Sequence, residues 1–197
     1  MAKSTYTYGF LPHLSGSLVF VTFRLADSLP MSAMNEIKVF ERCWQMKSDR
    51  GEWTADMADE YRQKRAALEN DLLDKALGSC ILKDESVRQQ LVDVIMHFDK
   101  VRYLVHTFVI MPNHVHLLLE PFEGWRIQDI MHSIKSYSAK MINRMLGRSD
   151  VLWEREYFDR CIRDSRHYSA VVRYIEGNPR HCAKGEYSYY RRGLQDG

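Results

Sequence analysis

With 197 residues, of which 45% are hydrophobic and 27% charged, the chain has the size and composition of one soluble globular domain, or of one domain with an insertion. No apolar run reaches the roughly 20 residues that span a bilayer, and the start MAKSTYTYGFLPH lacks an apolar targeting segment, so neither a membrane nor a secreted protein is expected. The net charge of +2 hides an asymmetry: residues 1–123 carry 14 Lys+Arg and 17 Asp+Glu, whereas residues 124–197 carry 14 and 9. A basic C-terminal third interleaved with aromatics from Trp153 to Tyr190 suits a single-strand nucleic-acid surface, and equally an ordinary solvated face. Cys43, Cys80, Cys161 and Cys182 are widely spaced with no Cys-x-x-Cys pair. That spacing argues against a thiolate zinc site and for a reducing compartment, the cytoplasm.

In chain order, Ser17–Leu25 (SLVFVTFRL) is rich in β-branched and aromatic residues and predicts a strand, interrupted near its end by Arg24. Asp27-Ser28-Leu29-Pro30 ends it and starts a helix. From Met31 to about Leu77 the pattern is charged and helical, with Arg50-Gly51-Glu52 as a break, so residues 31–80 read as a helical insertion. Asp84 or Ser86 caps the next helix, whose stripe Val87, Leu91, Val94, Ile95 and Phe98 reads as core packing.

Val101–Met111 and His114–Glu120 predict two strands joined by the tight turn Pro112-Asn113, and so an antiparallel hairpin. In the second of them, alternation puts His114 and His116 on one face. Two neutral imidazoles so placed suit a divalent cation. The plainer reading is one surface histidine and one satisfied core histidine. The apolar flanks weigh against it, because a buried imidazole needs a partner. His106 reads as structural. Arg126–Leu146 predicts a long helix capped by Gly147. Leu152–Ile162 is a short strand or an ordered loop, and a last helix runs from Asp164 or Ser165 to Gly177, ended by Asn178-Pro179. This order predicts an α+β, ferredoxin-like split βαβ domain with an antiparallel sheet and a closing helix over about 164–177.

The segments VTFRLADSLP, VIMPNHVHLLLEP, KSYSAKMINRMLGR, WEREYFDRCIRD and RYIEGNP, with GFLPH near the start, resemble in order the single-tyrosine transposases of the His-hydrophobic-His superfamily, above all the REP-associated tyrosine transposases. The resemblance covers most of residues 9–179. MPNHVH combined with a downstream YIxxNP is its specific part. It implies a single transposase-like domain over 1–197 that nicks and rejoins single-stranded DNA, of repeat origin and folded as a hairpin.

By that resemblance His114 and His116 hold a divalent metal, Mg2+ or Mn2+, and Tyr174 is the nucleophile. Asn178 falls where relatives place a third polar ligand. A residue before proline disfavours the helical region, which argues against Asn178 stacking with Tyr174 at i, i+4 and leaves His167, two turns before Tyr174, as a rival. Without the resemblance, Tyr174 reads as a packed helix tyrosine, and Tyr137 ranks well below it as a nucleophile. Arg24, Arg155, Arg160, Arg163 and Arg173 are candidate phosphate contacts. Trp153, Tyr157 and Phe158 are candidates for stacking on bases, Trp153 and Phe158 equally for core. The segment RHCAKG after the NP pair and the short tail EYSYYRRGLQDG depart from the family pattern. The expected partner is single-stranded or hairpin DNA, with no organic cofactor and a monomer favoured over a dimer. Two other classes stay open: a domesticated hairpin-binding protein without cleavage, and a His-x-His phosphodiesterase, for which no second element follows His116.

Overall fold

The computed structural model describes residues 17–193, except for the His181 side chain; the GFLPH segment and the last four residues lie outside the described residues. The described chain divides into two compact units, residues 27–80 and the remainder.

The larger unit is built on an antiparallel sheet. Its strands are β1 (Val19–Arg24), β2 (Tyr103–Ile110), β3 (His114–Pro121), β4 (Phe158–Cys161) and β5 (Ser188–Arg191), in the order β4-β1-β3-β2-β5. Helix α3 (Glu85–Met96) lies between β1 and β2 in sequence, and α4 (Ile127–Leu146) between β3 and β4. In space β3 separates β1 from β2, and β1 separates β3 from β4. Two interleaved split βαβ units of this kind are the ferredoxin-like arrangement expected from the sequence, extended at one edge by β5.

The two faces of the sheet carry separate cores. Val19, Val21 and Phe23 of β1 and Val115, Leu117 and Leu119 of β3 face one way and pack with Leu91 and Ile95 of α3 and Ile130 and Ile134 of α4. Phe20 and Leu118 face the other way, with Val171, Val172 and Ile175 of α5 (Ser165–Gly177). Central strands buried on both faces lose simple alternation, which is why β1 and β3 read as near-continuous apolar runs. The caps follow the sequence: Asp84 accepts from the backbone N–H groups of Ser86 and Val87, and Gly147 closes α4 at φ 63°.

Within residues 152–162 the short fourth strand is Phe158–Cys161, and Trp153 bridges Leu25 in isolation. Helix α5 ends at Gly177, where the Asn178-Pro179 stop predicts. Two local expectations need correction. Pro179 does not push Asn178 out of the helical region; Asn178 adopts φ −62°, ψ −42°, and a 3-10 turn runs over Asn178–His181. Sequence reading assigned no strand to β5, which pairs with β2 along Thr107↔Arg191 to Ile110↔Ser188. Side chains fasten it there. Thr107 Oγ1 donates to Tyr190 O at 2.7 Å, the Arg192 guanidinium grips Asp99 at 2.7 Å, and buried Arg88 donates to Ser188 Oγ at 3.0 Å and to the Gly185 carbonyl.

The smaller unit, Asp27–Cys80, pairs α1 (Met31–Asp49) with α2 (Ala55–Leu73) around Ala33, Ile37, Leu72 and Leu73. Phe40, Trp44, Trp53 and Tyr61 form a second, aromatic cluster. Its two ends meet: Ser79 N–H donates to Asp27 Oδ2 at 2.8 Å. Gly78 sits at φ 87°, where a Cβ would come within 2.4 Å of Asp27 O, so both backbone conformation and space demand glycine. No helix among the described residues is long and apolar enough to cross a membrane.

Candidate active site

β3 runs through the middle of the sheet, and its alternation turns His114 and His116 toward the face covered by α5. Both rings are buried, at 1% and 0% exposure, and their Nε2 atoms converge to 3.1 Å. The outer nitrogens are each held. His114 Nδ1 lies 2.8 Å from Asn113 Oδ1, in the turn preceding the strand. His116 Nδ1 lies 2.8 Å from Thr22 Oγ1, its register partner on β1. Burial pulls the His114 pKa down to about 3 and that of His116 well below the usual imidazole range, with His114 opposing charge on its neighbour. Both rings are therefore neutral near pH 7, the form that ligates metals. Two imidazole nitrogens about 2.1 Å from one ion, at about 90–110°, stand about 3.0–3.4 Å apart. The observed separation fits.

Tyr174 reaches this pair from α5. Its hydroxyl is 3.3 Å from His116 Nε2, and Phe20 packs against both rings, at 5.7 Å from His116 and edge-on at 6.0 Å from Tyr174. The helix is fixed in rotation by burying Val171, Val172 and Ile175, and fixed at its start by Asp164, whose carboxylate accepts from His167 N–H at 2.8 Å. Asn178 follows four residues after Tyr174. Because its dihedrals stay helical, it remains on a similar side of the helix, contrary to the expectation drawn from Pro179. Asn178 is buried, and its Oδ1 has no hydrogen-bond partner. An orphaned buried carbonyl costs on the order of 1–3 kcal/mol and calls for an occupant. Two neutral imidazoles converging in this way suit a hard or borderline divalent cation.

The other expected site residues fall in different places. His167 does not join the pair. It sits in the first turn of α5 with Nδ1 accepting from Arg163 N–H at 3.3 Å, and among the described residues no third His, Cys, Asp or Glu completes a cluster. Arg24 is the register partner of His114 but is buried, and its guanidinium lies 3.2 Å from Glu154. As placed, that charge is balanced within the fold rather than offered to solvent. Arg155, Arg160, Arg163 and Arg173 are exposed. Trp153 is core, stacked edge-on against Phe23 at 4.9 Å and donating Nε1–H to Ser138 Oγ at 2.9 Å. Tyr157 and Phe158 are half-buried, and Tyr137 is exposed on α4. His106 is half-buried, 3.5 Å from both the Tyr168 hydroxyl and Glu120.

Thr22 and Asn113 were not singled out from the sequence. Both left a signal: Thr22 is the one uncharged polar residue in VFVTFR, and Asn113 abuts His114 in the turn.

Comparison with known proteins bears on the same residues. The family model described as "Transposase IS200 like" matches residues 79–178, a stretch that contains His114, His116, Tyr174 and Asn178. A protein of Haemophilus influenzae (strain ATCC 51907 / DSM 11121 / KW20 / Rd), named only as uncharacterized, is 27% identical over 114 residues, covering 47% of this chain; the chain spans 62% of that relative's length. Among solved structures, a REP-associated tyrosine transposase bound to a REP hairpin is similar over 92% of this chain and 74% of its own, at 15% identity and a TM-score of 0.46. A candidate transposase from Deinococcus radiodurans R1 is similar over 87% of this chain and 98% of its own, at 12% identity and a TM-score of 0.44.

Proposed function

The chain belongs to the IS200-like transposase family, and from that membership we propose that it nicks and rejoins single-stranded DNA, with the Tyr174 hydroxyl as nucleophile and His114, His116 and Asn178 as the donors for a divalent metal ion. The observation that carries this reading is the convergence of a phenol and two neutral imidazoles: 3.3 Å from Tyr174 to His116, and 3.1 Å from His116 to His114.

In the proposed reaction the Tyr174 oxygen attacks phosphorus. A Tyr–O–P bond forms and the P–O3′ bond breaks, leaving a 5′-phosphotyrosine and a 3′-hydroxyl. A phenol with pKa about 10 has to give up its proton as the new bond forms, and the half-exposed position of Tyr174 gives that proton a route to water. A bound Mg2+ or Mn2+ would supply positive charge that polarises the phosphodiester and balances the charge developing on it. The covalent ester keeps the free energy of the broken bond, so attack by a 3′-hydroxyl reverses the cut without ATP. That economy suits strand transfer better than degradation.

The substrate we propose is a single strand folded as a hairpin, as the family resemblance implies. Arg160 and Arg163 lie on the strand and loop entering α5, and Arg173 on α5 itself. All three are exposed and free to meet phosphates.

The test is incubation with hairpin oligonucleotides and Mg2+ or Mn2+, followed by mass mapping of any DNA-bound peptide. The expected adduct is on the tryptic peptide YIEGNPR, which begins at Tyr174. Free ends with no adduct would support a phosphodiesterase instead, and tight binding with no cut a hairpin-binding protein.

A further inference from the structure

The two imidazoles of the pair are held differently, and the difference has a chemical meaning. Asn113 is fully buried, and its carboxamide oxygen sits 2.8 Å from His114 Nδ1. A carbonyl oxygen can only accept, so His114 carries its proton on Nδ1 and leaves Nε2 as a bare lone pair. Thr22 is also buried, and its hydroxyl sits 2.8 Å from His116 Nδ1. A hydroxyl both donates and accepts, so it fits either tautomer of His116.

Two contacts meet at His116 Nε2, His114 Nε2 at 3.1 Å and the Tyr174 hydroxyl at 3.3 Å, and the closer one sets the tautomer. Two bare Nε2 lone pairs 3.1 Å apart repel. Without a cation the contact is satisfied when His116 carries its proton on Nε2 and donates it to His114 Nε2, with the Thr22 hydroxyl donating to His116 Nδ1. A cation held by both Nε2 atoms would require both to be bare. The His116 proton then has to be on Nδ1, where Thr22 accepts it.

We propose that Asn113 and Thr22 are unequal positioning residues for the metal pair: Asn113 locks His114 in one tautomer, and Thr22 lets His116 change tautomer when the cation arrives. Water takes the proton that leaves Nε2 and supplies the one that arrives at Nδ1, the hydroxyl turns from donor to acceptor, and the ring stays neutral throughout. The Thr22 part rests on the metal reading given above; the Asn113 part does not. Outer partners of this kind typically change metal affinity by about 10–100-fold when removed.

The experiment is long-range 1H–15N correlation of the histidine rings in uniformly 15N-labelled protein, first in EDTA and then with Zn2+ as a diamagnetic probe, together with Zn2+ titration. In EDTA, His114 is expected to be protonated at Nδ1 and His116 at Nε2. With Zn2+, His114 keeps its pattern and His116 moves to Nδ1–H. Asn113→Asp, which retains an acceptor, keeps the His114 pattern, whereas Asn113→Leu loses it. Thr22→Val weakens Zn2+ binding about 10–100-fold, and Thr22→Ser restores it. A His114 proton on Nε2 in EDTA overturns the lock. Unchanged Zn2+ affinity in Thr22→Val, or a His116 pattern that Zn2+ does not move although it binds, overturns the switch. Failure of the wild type to bind Zn2+ at all overturns the metal reading and the switch with it, while the EDTA spectrum still decides the lock.

Discussion

The Tyr174 hydroxyl and His116 Nε2 lie 3.3 Å apart within one chain, across the interface between α5 and β3. Tyr174→Phe removes the oxygen but leaves the ring against Phe20 and His116. Strand cleavage and the covalent adduct are expected to fall by about three orders of magnitude or more, with hairpin affinity within about threefold of wild type. Cleavage assays and gel-shift titration check both parts; unchanged cleavage would remove Tyr174 from the mechanism.

His116→Ala takes away one of two converging nitrogens and leaves the Thr22 hydroxyl without its partner. Metal-dependent cleavage should drop to about 1% or less, and stability by about 1–3 kcal/mol. Urea unfolding in EDTA separates the two effects. Cleavage retained at wild-type Mg2+ concentrations would count against the metal pair.

Asn178→Ala offers a sharper comparison because the side chain it truncates has an unsatisfied oxygen. Loss of an orphan acceptor costs little, so metal-free stability should stay within about 1 kcal/mol of wild type. Metal affinity should nonetheless fall about tenfold or more, and Asn178→Asp, which brings a charged oxygen, should recover it. Calorimetric titration with Mn2+ reads this directly. Equal affinity in all three proteins would exclude Asn178 as a donor.

The buried pair also sets a pH dependence on the metal-free fold. His114 has a folded pKa of about 3 against an ordinary value of 6.5, and His116 is shifted the same way. Below 6.5 the unfolded chain binds protons that the folded one refuses. The stability contribution is therefore whole above pH 6.5 and lost as pH falls toward 3, by up to about 1.4 kcal/mol per pH unit for each histidine. Urea denaturation in EDTA at pH 7, 6 and 5 should show this slope, shallower by about one proton in His114→Gln. Matching slopes in the two proteins would refute it.

The sheet and its helices were legible because local pattern and tertiary placement agree. The apolar strands, the Asp84 and Gly147 caps and the Pro112-Asn113 turn each specify their own geometry. What was illegible depended on distant partners. β5 is four residues of SYYR, too short and too charged at its flank to read as a strand; Arg88 and Asp99, far away in sequence, hold it in place. The roles of Thr22 and Asn113 need the β1–β3 register and the turn geometry, which no single segment encodes. Arg24 was read as a cation for phosphate because Glu154, its partner, lies a hundred residues and more downstream. Asn178 kept helical dihedrals where Pro179 disfavours them, so a local rule yielded to the turn that follows.

The hydrogen bond from Ser79 to Asp27 means that residues 27–80 depart and return through a single doorway. To the strands and helices on either side, that whole stretch counts as one short hop, with little closure entropy charged to its length. Evolution can therefore lengthen, shrink or rewrite this appendage while the phenol and its imidazoles stay where they are.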